Sequence, residues 1–296
     1  MFMAKILLVR KKDIGSVIPA RGPNSHKGDF GRLLIIGGGS RYVGAPALVG
    51  LAALRSGVDL AIVAAPERTA WTVNSLSPDL ITVKLQCHDL EKSALPVISE
   101  EIRHSSAVVI GPGLGDSPKT TEAVIDLAYD LKENHHKLPV LFDADALKAL
   151  SHQRSLLKDM PWVVTPHAGE FKILTGKEVP DDLQARAEQA RHAAQELGCV
   201  FLLKGHVDVI ASPVGAFRLN RTGNPGMTVG GTGDVLSGII GAFLSQGAEP
   251  FKAAAAGAWI CGRAGDLCMP ERGYEFVASD VIDKLPDVFK EVRGKR

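Results

Sequence analysis

The sequence predicts an α/β fold, a mostly parallel central sheet covered by helices on both faces, and two observations carry that prediction. From about residue 32 onward, short apolar runs that lack polar alternation give way repeatedly to stretches with helical spacing. Strands hidden on both faces read as such unbroken runs, and strands that alternate with helices are joined by crossovers into a parallel sheet. The runs also end in polar or glycine-bearing loops, which mark where a strand hands over to the next element.

The first 30 or so residues read as a lead-in too short to fold alone. "RLLIIGG" (32–38) then reads as a buried strand running into a glycine turn. "APALVGLAALRSG" (45–57) follows as a helix, with Leu48, Leu51, Ala52 and Arg55 at helical spacing and Gly57 as its stop. Further strands are predicted within "LAIVAAP" (60–66), "AVVIGPGLG" (107–115), "PVLFDADAL" (139–147), "WVVTPHAGEF" (162–171) and "VFLLKG" (200–205). Helices are predicted over "TTEAVIDLAYDLKEN" (120–134) and "DDLQARAEQARHAAQELG" (181–198). "VDVIASP" and "GAFRLN", within 207–220, lie close enough to form a hairpin, which makes the sheet mixed at one edge. Val235, Leu236, Ile239, Ile240, Phe243 and Leu244 recur at the spacing of one apolar helix face, so a helix starts at Thr232–Asp234. The small-residue stretch "FKAAAAGAWICGRAGDLC" (251–268) suits close packing, either in the core or between subunits. No linker, low-complexity segment or repeat of 20–50 residues divides the chain, so one domain over residues 1–296 is expected.

Composition narrows the function classes. With 45% hydrophobic and 23% charged residues the chain is of ordinary globular type. A chain of about 300 residues buries roughly 75% of its unfolded surface, enough for a large core. A formal net charge of +1 offers no basic field to nucleic acid, and no block of like charge marks a tail or membrane patch. The four cysteines (Cys87, Cys199, Cys261, Cys268) are scattered without a CxxC, which suits reduced thiols rather than disulfides or zinc. The start has too short an apolar run for a signal peptide, and no stretch approaches the ~20 apolar residues of a membrane span. The expectation is a soluble, cytoplasmic protein without nucleic-acid or membrane partners.

In open parallel sheets, ligands bind outside the carboxyl ends of the strands. The informative residues are therefore Gly37–Gly39, Gly111–Gly115, Asp143 and Asp145, Thr165–Glu170, and Lys204–Gly205. They are small, polar and suited to phosphate. The sharpest case is "VGGTGD", where glycines precede the helix that starts at Thr232–Asp234. Such a helix start presents unpaired N–H groups and a partial positive charge to an anion, and glycines let the backbone come close. Asp234 reads either as a capping or first-turn carboxylate, worth ~0.5–2 kcal/mol to the helix, or as a base. A cap needs no Gly-Gly-Thr-Gly before it, and a carboxylate beside a bound phosphate has its pKa raised toward that of a useful base, which favours the second reading.

This helix start resembles that of the ribokinase-like superfamily, in which a glycine–x–glycine–aspartate turn forms an anion hole beside a catalytic aspartate. The segments "HKGDFGRLLIIGGGSRYVGAPALVGLAALRSG", "GPGLG", "FDADAL", "TPHAGEF", "LKGHVDVI" and "GNPGMTVGGTGDVLSG", in that order, narrow the likeness. Together they resemble the ADP/ATP-dependent NAD(P)H-hydrate dehydratases over roughly residues 27–247. The resemblance implies a ribokinase-like three-layer αβα sandwich. It implies Asp234 as the catalytic carboxylate, with Ala45, Gly113, Gly115, His167 and Asp234 contacting the hydrated nucleotide. It implies the adenine-nucleotide site at Lys204, Gly205, His206, Val207 and Asp208, and at Gly231, Thr232 and Gly233; no side chain is assigned as a metal ligand. Taken singly, these are ordinary features: a small residue at a helix start, a glycine loop, a solvated histidine, a surface lysine at a turn. Asp143 and Asp145 read equally as caps of the following helix or as contacts to magnesium or substrate through water, and Glu170 is as open.

The implied substrate is NADH or NADPH that has gained water at C6 of the nicotinamide ring (NADHX, NADPHX). Phosphorylating the C6 hydroxyl turns a poor leaving group into a good one, and Mg2+ would travel with the ADP or ATP donor. ADP is favoured from the likeness to stand-alone and prokaryotic members. A homo-oligomer, specifically a tetramer, and a functional link to a separate NAD(P)H-hydrate epimerase are also implied. The helix-start motif alone fits two alternatives: a ribokinase-like kinase of pyrimidine or thiazole alcohols, and a non-catalytic nucleotide sensor. "GPGLG", "TPHAGEF" and "HKGDFG" favour the dehydratase over the first, and the intact glycines and aspartate favour it over the second.

Overall fold

The computed structural model describes residues 7–294. Nine strands form one sheet: β1 (Arg32–Ile36), β2 (Leu60–Pro66), β3 (Ile81–Leu85), β4 (Ala107–Ile110), β5 (Val140–Phe142), β6 (Trp162–Val164), β7 (Val200–Leu203), β8 (Asp208–Ala211) and β9 (Phe217–Asn220). Their spatial order is β3-β2-β1-β4-β5-β6-β7-β8-β9. Neighbours from β3 through β7 pair in parallel, and β7-β8 and β8-β9 pair antiparallel. The expected mixed edge is therefore present. The helices are α1 (Lys11–Ile14), α2 (Ala45–Arg55), α3 (Glu67–Leu76), α4 (Leu95–Arg103), α5 (Pro118–Asn134), α6 (Asp145–Leu150), α7 (Ala168–Thr175), α8 (Leu183–Leu197), α9 (Thr232–Ser245), α10 (Pro250–Arg272) and α11 (Ala278–Arg293).

The unbroken apolar strands serve two cores at once. Along β1, Leu33 and Ile35 enter the core shared with α2, α9, α10 and α11, whereas Leu34 and Ile36 enter the core shared with α4, α5, α6 and α8. The same alternation holds along β4, where Val109 faces the first core and Val108 and Ile110 the second. Successive strand side chains point to opposite faces, so a strand covered on both sides must be apolar throughout. This gives the three layers expected from the sequence. The apolar runs overshoot the strands: "AVVIGPGLG" stops being strand at Ile110, and "WVVTPHAGEF" turns into α7 after Val164 and a short loop. At the other end of the sheet, the lead-in docks on β9. Leu8 bridges Leu219, the Val9 amide donates to the Leu219 carbonyl (2.9 Å), and Val9, Ile14 and Val17 are buried.

The helix after the glycine-rich turn is covered well beyond the one apolar face that its spacing marks. Every residue of α9 from Val235 to Ser245 is buried. It lies between the sheet and helices α2, α10 and α11, so the side opposite its sheet-facing stripe is also covered. Glycine makes this crowding possible: a Cβ on Gly238 would run into the Val49 carbonyl oxygen and come within 2.8 Å of the Ala52 Cβ. In α10, Gly257 faces Ile240 and Gly265 faces Met227. Of the two readings of the small-residue stretch, the core packing is the one observed. Gly238→Ala is accordingly expected to lower stability by about 1–3 kcal/mol, the cost of overpacking a dense core. Urea melts of the two proteins check this, and an unchanged midpoint would contradict the close α2–α9 approach.

Candidate active site

The strand order reverses between β1 and β4, which makes their carboxyl ends the topological switch point where an open sheet forms its ligand crevice. The two glycine loops that leave these strands meet there, and the Gly38 amide donates to the Pro112 carbonyl (2.8 Å). Gly111 has φ +128°, and a Cβ on it would collide with the Asp143 carbonyl oxygen, so only glycine fits. A Cβ on Gly113 would lie 3.1 Å from the Ala45 Cβ, which places these two residues side by side at the start of α2. The Gly115 amide donates to Asp145 Oδ2 (2.8 Å), and Lys148 Nζ pairs with Asp145 Oδ1 (2.8 Å). Asp145 thus braces the second glycine loop from the first residue of α6.

Gly231 is the N-cap of α9, with φ +95°. The first intrahelical bond runs from the Val235 amide to the Gly231 carbonyl (3.1 Å), so the N–H groups of Thr232, Gly233 and Asp234 have no intrahelical acceptor. The Thr232 hydroxyl turns back onto the Met227 carbonyl (2.9 Å). Asp234 is in the first turn but is not the cap, and its carboxylate accepts no hydrogen bond among the described residues. Burial pushes its pKa up to about 7; the Asp143 charge adds to the rise, and the Lys204 ammonium opposes it.

Lys204, just past the end of β7, is the cation of the site. Its Nζ lies 2.9 Å from Asp143 Oδ1 and 3.7 Å from Glu170 Oε2. It also stands 3.7 Å from where a Cβ on Gly233 would be, against the helix start. Burial disfavours this ammonium, but the charges of Asp143, Glu170 and Asp234 outweigh it and hold its pKa above the ordinary value. Asp143 is buried, which disfavours its charge, yet Lys204 and hydrogen bonds from Lys204, Ser237 and Thr165 keep its pKa below the usual carboxylate range. Ser237 Oγ donates to Asp143 Oδ2 at 2.7 Å. Glu170 accepts the His167 amide (2.9 Å), and His167 Nδ1 accepts the Gly169 amide (3.0 Å), so these residues cap α7 reciprocally. The imidazole remains mostly exposed at the rim.

Within 33–287, the chain matches the family profile described as NAD(P)H-hydrate dehydratase. The chain belongs to that family. Over 284 residues, it is 44% identical to a bifunctional NAD(P)H-hydrate repair enzyme of Pyrobaculum aerophilum, covering 96% of this chain and 55% of that one. The chain thus spans about half the length of the bifunctional relatives it matches. It is 37% identical over 287 residues to the ADP-dependent (S)-NAD(P)H-hydrate dehydratase of Cenarchaeum symbiosum, covering 96% of both chains. Among solved structures, it is similar to the ADP/ATP-dependent NAD(P)H-hydrate dehydratase of Bacillus subtilis co-crystallised with ATP/Mg2+. The TM-score is 0.79 at 29% identity, over 98% of this chain and 99% of that one. The sheet is of ribokinase-like type.

In this dehydratase-family chain, the residues singled out in the sequence fall into two adjoining groups. Ala45, Gly113 and Gly115 gather at the switch point, while the Lys204 side chain meets Gly231, Thr232, Gly233 and Asp234 at the start of α9; Gly205 lies instead against Arg186 and Asp208. Gly231 joins the two groups, since a Cβ there would meet Leu48 of α2 at 2.8 Å. His167 borders the second group through Glu170 and Lys204. The rest of "KGHVD" divides: His206 is exposed, the Val207 side chain is part of the core, and the Asp208 carboxylate is turned inward to the Gly205 amide and Asn220. Only backbone is left at 207 and 208 to meet a nucleotide. Asp143 does not cap α6, whose N-cap is Ala144; it is the counter-ion of Lys204. No motif marks Ser237, although its place three residues after Asp234 puts both on one helix face.

Proposed function

We propose that this chain, working as one domain, carries out the ADP- or ATP-dependent dehydration of the S epimer of NADHX and NADPHX. The products are NADH or NADPH, with AMP and phosphate when ADP is the donor. One observation carries the reading: Asp234, a carboxylate with pKa about 7, stands among three free amides and beside a protonated lysine. Asp234 takes the proton of the C6 hydroxyl as that oxygen attacks the terminal phosphoryl group and the nucleotide leaves one phosphate shorter. The amides of Thr232, Gly233 and Asp234, with Lys204, stabilise the charge on the phosphoryl oxygens. The ring nitrogen's lone pair then expels phosphate, and loss of the C5 proton restores the double bond. Ala45, Gly113 and Gly115 suit the substrate because they leave bare backbone in the switch-point crevice, and His167 suits it from the rim. Support comes from relatives named as dehydratases over nearly the full length of this chain.

Among the described residues, no three His, Cys, Asp or Glu side chains converge as a metal cage. Asp143 is committed to Lys204 and Ser237, and Glu170 to His167 and Lys204. The donor set does not fit a metal held by the protein itself, so Mg2+ belongs with the nucleotide phosphates as part of the substrate. The finer expectations are a cytoplasmic location, a homotetramer and a companion epimerase that supplies the S epimer. No described helix is long and apolar enough to cross a membrane. The reading is tested by mixing the protein with hydrated NADH and ADP, in parallel with ATP. Recovery of the dihydronicotinamide absorbance is expected; a stable phosphorylated product without recovery would point instead to a hydroxyl kinase.

A further inference from the structure

The turn after β7 holds a device that neither the glycine motifs nor the catalytic charges explain. Lys204 C=O and Gly205 N–H belong to one peptide unit, and a side chain grips each end: the Arg186 guanidinium one, and the Asp208 carboxyl, whose pKa burial pushes up, the other. Arg186 Nη2, from α8, donates to the Lys204 carbonyl (2.7 Å), and Asp208 Oδ1 accepts the Gly205 amide (3.0 Å). Gly205 has no positive φ, so its backbone conformation does not demand glycine. What a side chain would disturb is Arg186: a Cβ at Gly205 would lie 2.7 Å from the guanidinium carbon and closer still to Nη2. The guanidinium lies against the turn.

The grip continues to the other half of the site. Asp208 Oδ2 accepts Asn220 Nδ2 (3.1 Å), and Asn220, which is buried, also donates to the Ala258 carbonyl (3.2 Å). Asn220 Oδ1 accepts the Thr222 hydroxyl (2.9 Å) and amide (3.3 Å) at the head of the loop that leads to Gly231. One chain of hydrogen bonds therefore ties the Lys204–Gly205 peptide to the loop that builds the anion site.

We propose that Arg186 and Asp208 are positioning residues that clamp the Lys204–Gly205 peptide from both ends and set the nucleotide site in register with the glycine loop before α9. Neither acts on the reacting atoms. Losing either releases the peptide plane, and the damage falls on nucleotide affinity. The Arg186 bond is charge-assisted and so of the strong kind, and losing it costs roughly tenfold in a binding constant. The inference rests on the nucleotide reading above.

The test compares wild type with Arg186→Met, Arg186→Lys, Asp208→Asn and Gly205→Ala, using calorimetric ADP titration and steady-state kinetics. Arg186→Met and Asp208→Asn are expected to raise Kd and KM for ADP roughly tenfold, with kcat and the KM for hydrated NADH changed less than about threefold. Arg186→Lys, which keeps a donor but not the flat fork, recovers part of the loss. Gly205→Ala displaces only the end of a flexible side chain, so it keeps the test open should Asp208→Asn fail to fold. Its effect on ADP binding should largely vanish in the Arg186→Met background, because both act on one contact. Unchanged ADP affinity in Arg186→Met, equal losses in kcat for both substrates, or strict additivity of the double variant would overturn the clamp. Wild-type protein that binds no ADP would instead overturn the nucleotide reading beneath it.

Discussion

Replacing Asp234 with Asn is expected to lower kcat/KM for the hydrated cofactor about 1,000-fold, within the span of a lost general base. Asn keeps the size and polarity of the side chain but cannot take the C6 hydroxyl proton. ADP binding, measured by calorimetry, should survive, because the amides of Thr232 and Gly233 and the Lys204 charge are untouched. The pH profile supplies an independent check. With its pKa raised to about 7, wild-type Asp234 is protonated and inactive in acid, so kcat/KM rises with pH and levels off above about 7. The residual rate of Asp234→Asn should lack that acid limb. Stability moves the other way. A carboxyl whose folded pKa lies above its unfolded value of 3.8 contributes stability that is fully present below 3.8 and lost as pH rises through about 7. At pH 8 the Asn variant should therefore be more stable than wild type by about 1 kcal/mol, in the usual range for relieving a strained active site. The gap should close toward pH 4. A variant that keeps near-normal turnover at pH 8 would remove Asp234 from the mechanism.

Much of this site was legible because local chemistry wrote it. Glycines followed at once by an amphipathic run place a helix start at Thr232–Asp234, and the structure begins α9 at Thr232. The strands that line the switch point were visible as unbroken apolar runs because both their faces are covered. β3 lacks that signature for the converse reason: it is the sheet edge, its residues are mostly part-exposed, and Thr82 and Lys84 interrupt the apolar pattern. What the one-dimensional pattern could not show was partnership at a distance. Lys204 and Asp143 are 61 residues apart, and Asp143 and Ser237 are 94 apart. Each is ambiguous until the sheet brings the ends of β5 and β7 against α9. Asp208 shows the same limit from another side. It opens the first strand of the predicted hairpin, but whether its carboxylate faces a ligand or its own backbone depends on Asn220, which arrives only when β9 pairs with β8.

That dependence on partners makes Lys204→Met the second large effect. The substitution keeps much of the stem's volume and deletes the charge, leaving Asp143 buried without its counter-ion. Breaking a buried pair costs about 3–5 kcal/mol, and the lower end applies here because the lysine side chain is one-fifth exposed. The sign with pH follows from Asp143. In wild type its pKa is depressed, so the pair contributes stability present above 3.8 and lost as pH falls through the lower folded value. Without Lys204, burial dominates and the same carboxyl becomes hard to ionise. The destabilisation should thus be largest at neutral pH and shrink toward pH 4, as read from urea melts across that range. The acid limb of any remaining activity should also move to higher pH, since Lys204 is the charge that restrains the rise at Asp234. Adding Asp143→Asn to Lys204→Met removes the orphaned charge, and an amide oxygen can still accept the Ser237 hydroxyl. The double variant should then recover most of the lost stability while staying inactive, because the phosphoryl group has lost its cation. A double variant no more stable than Lys204→Met alone would mean that the Lys204–Asp143 pair is not what holds this corner together.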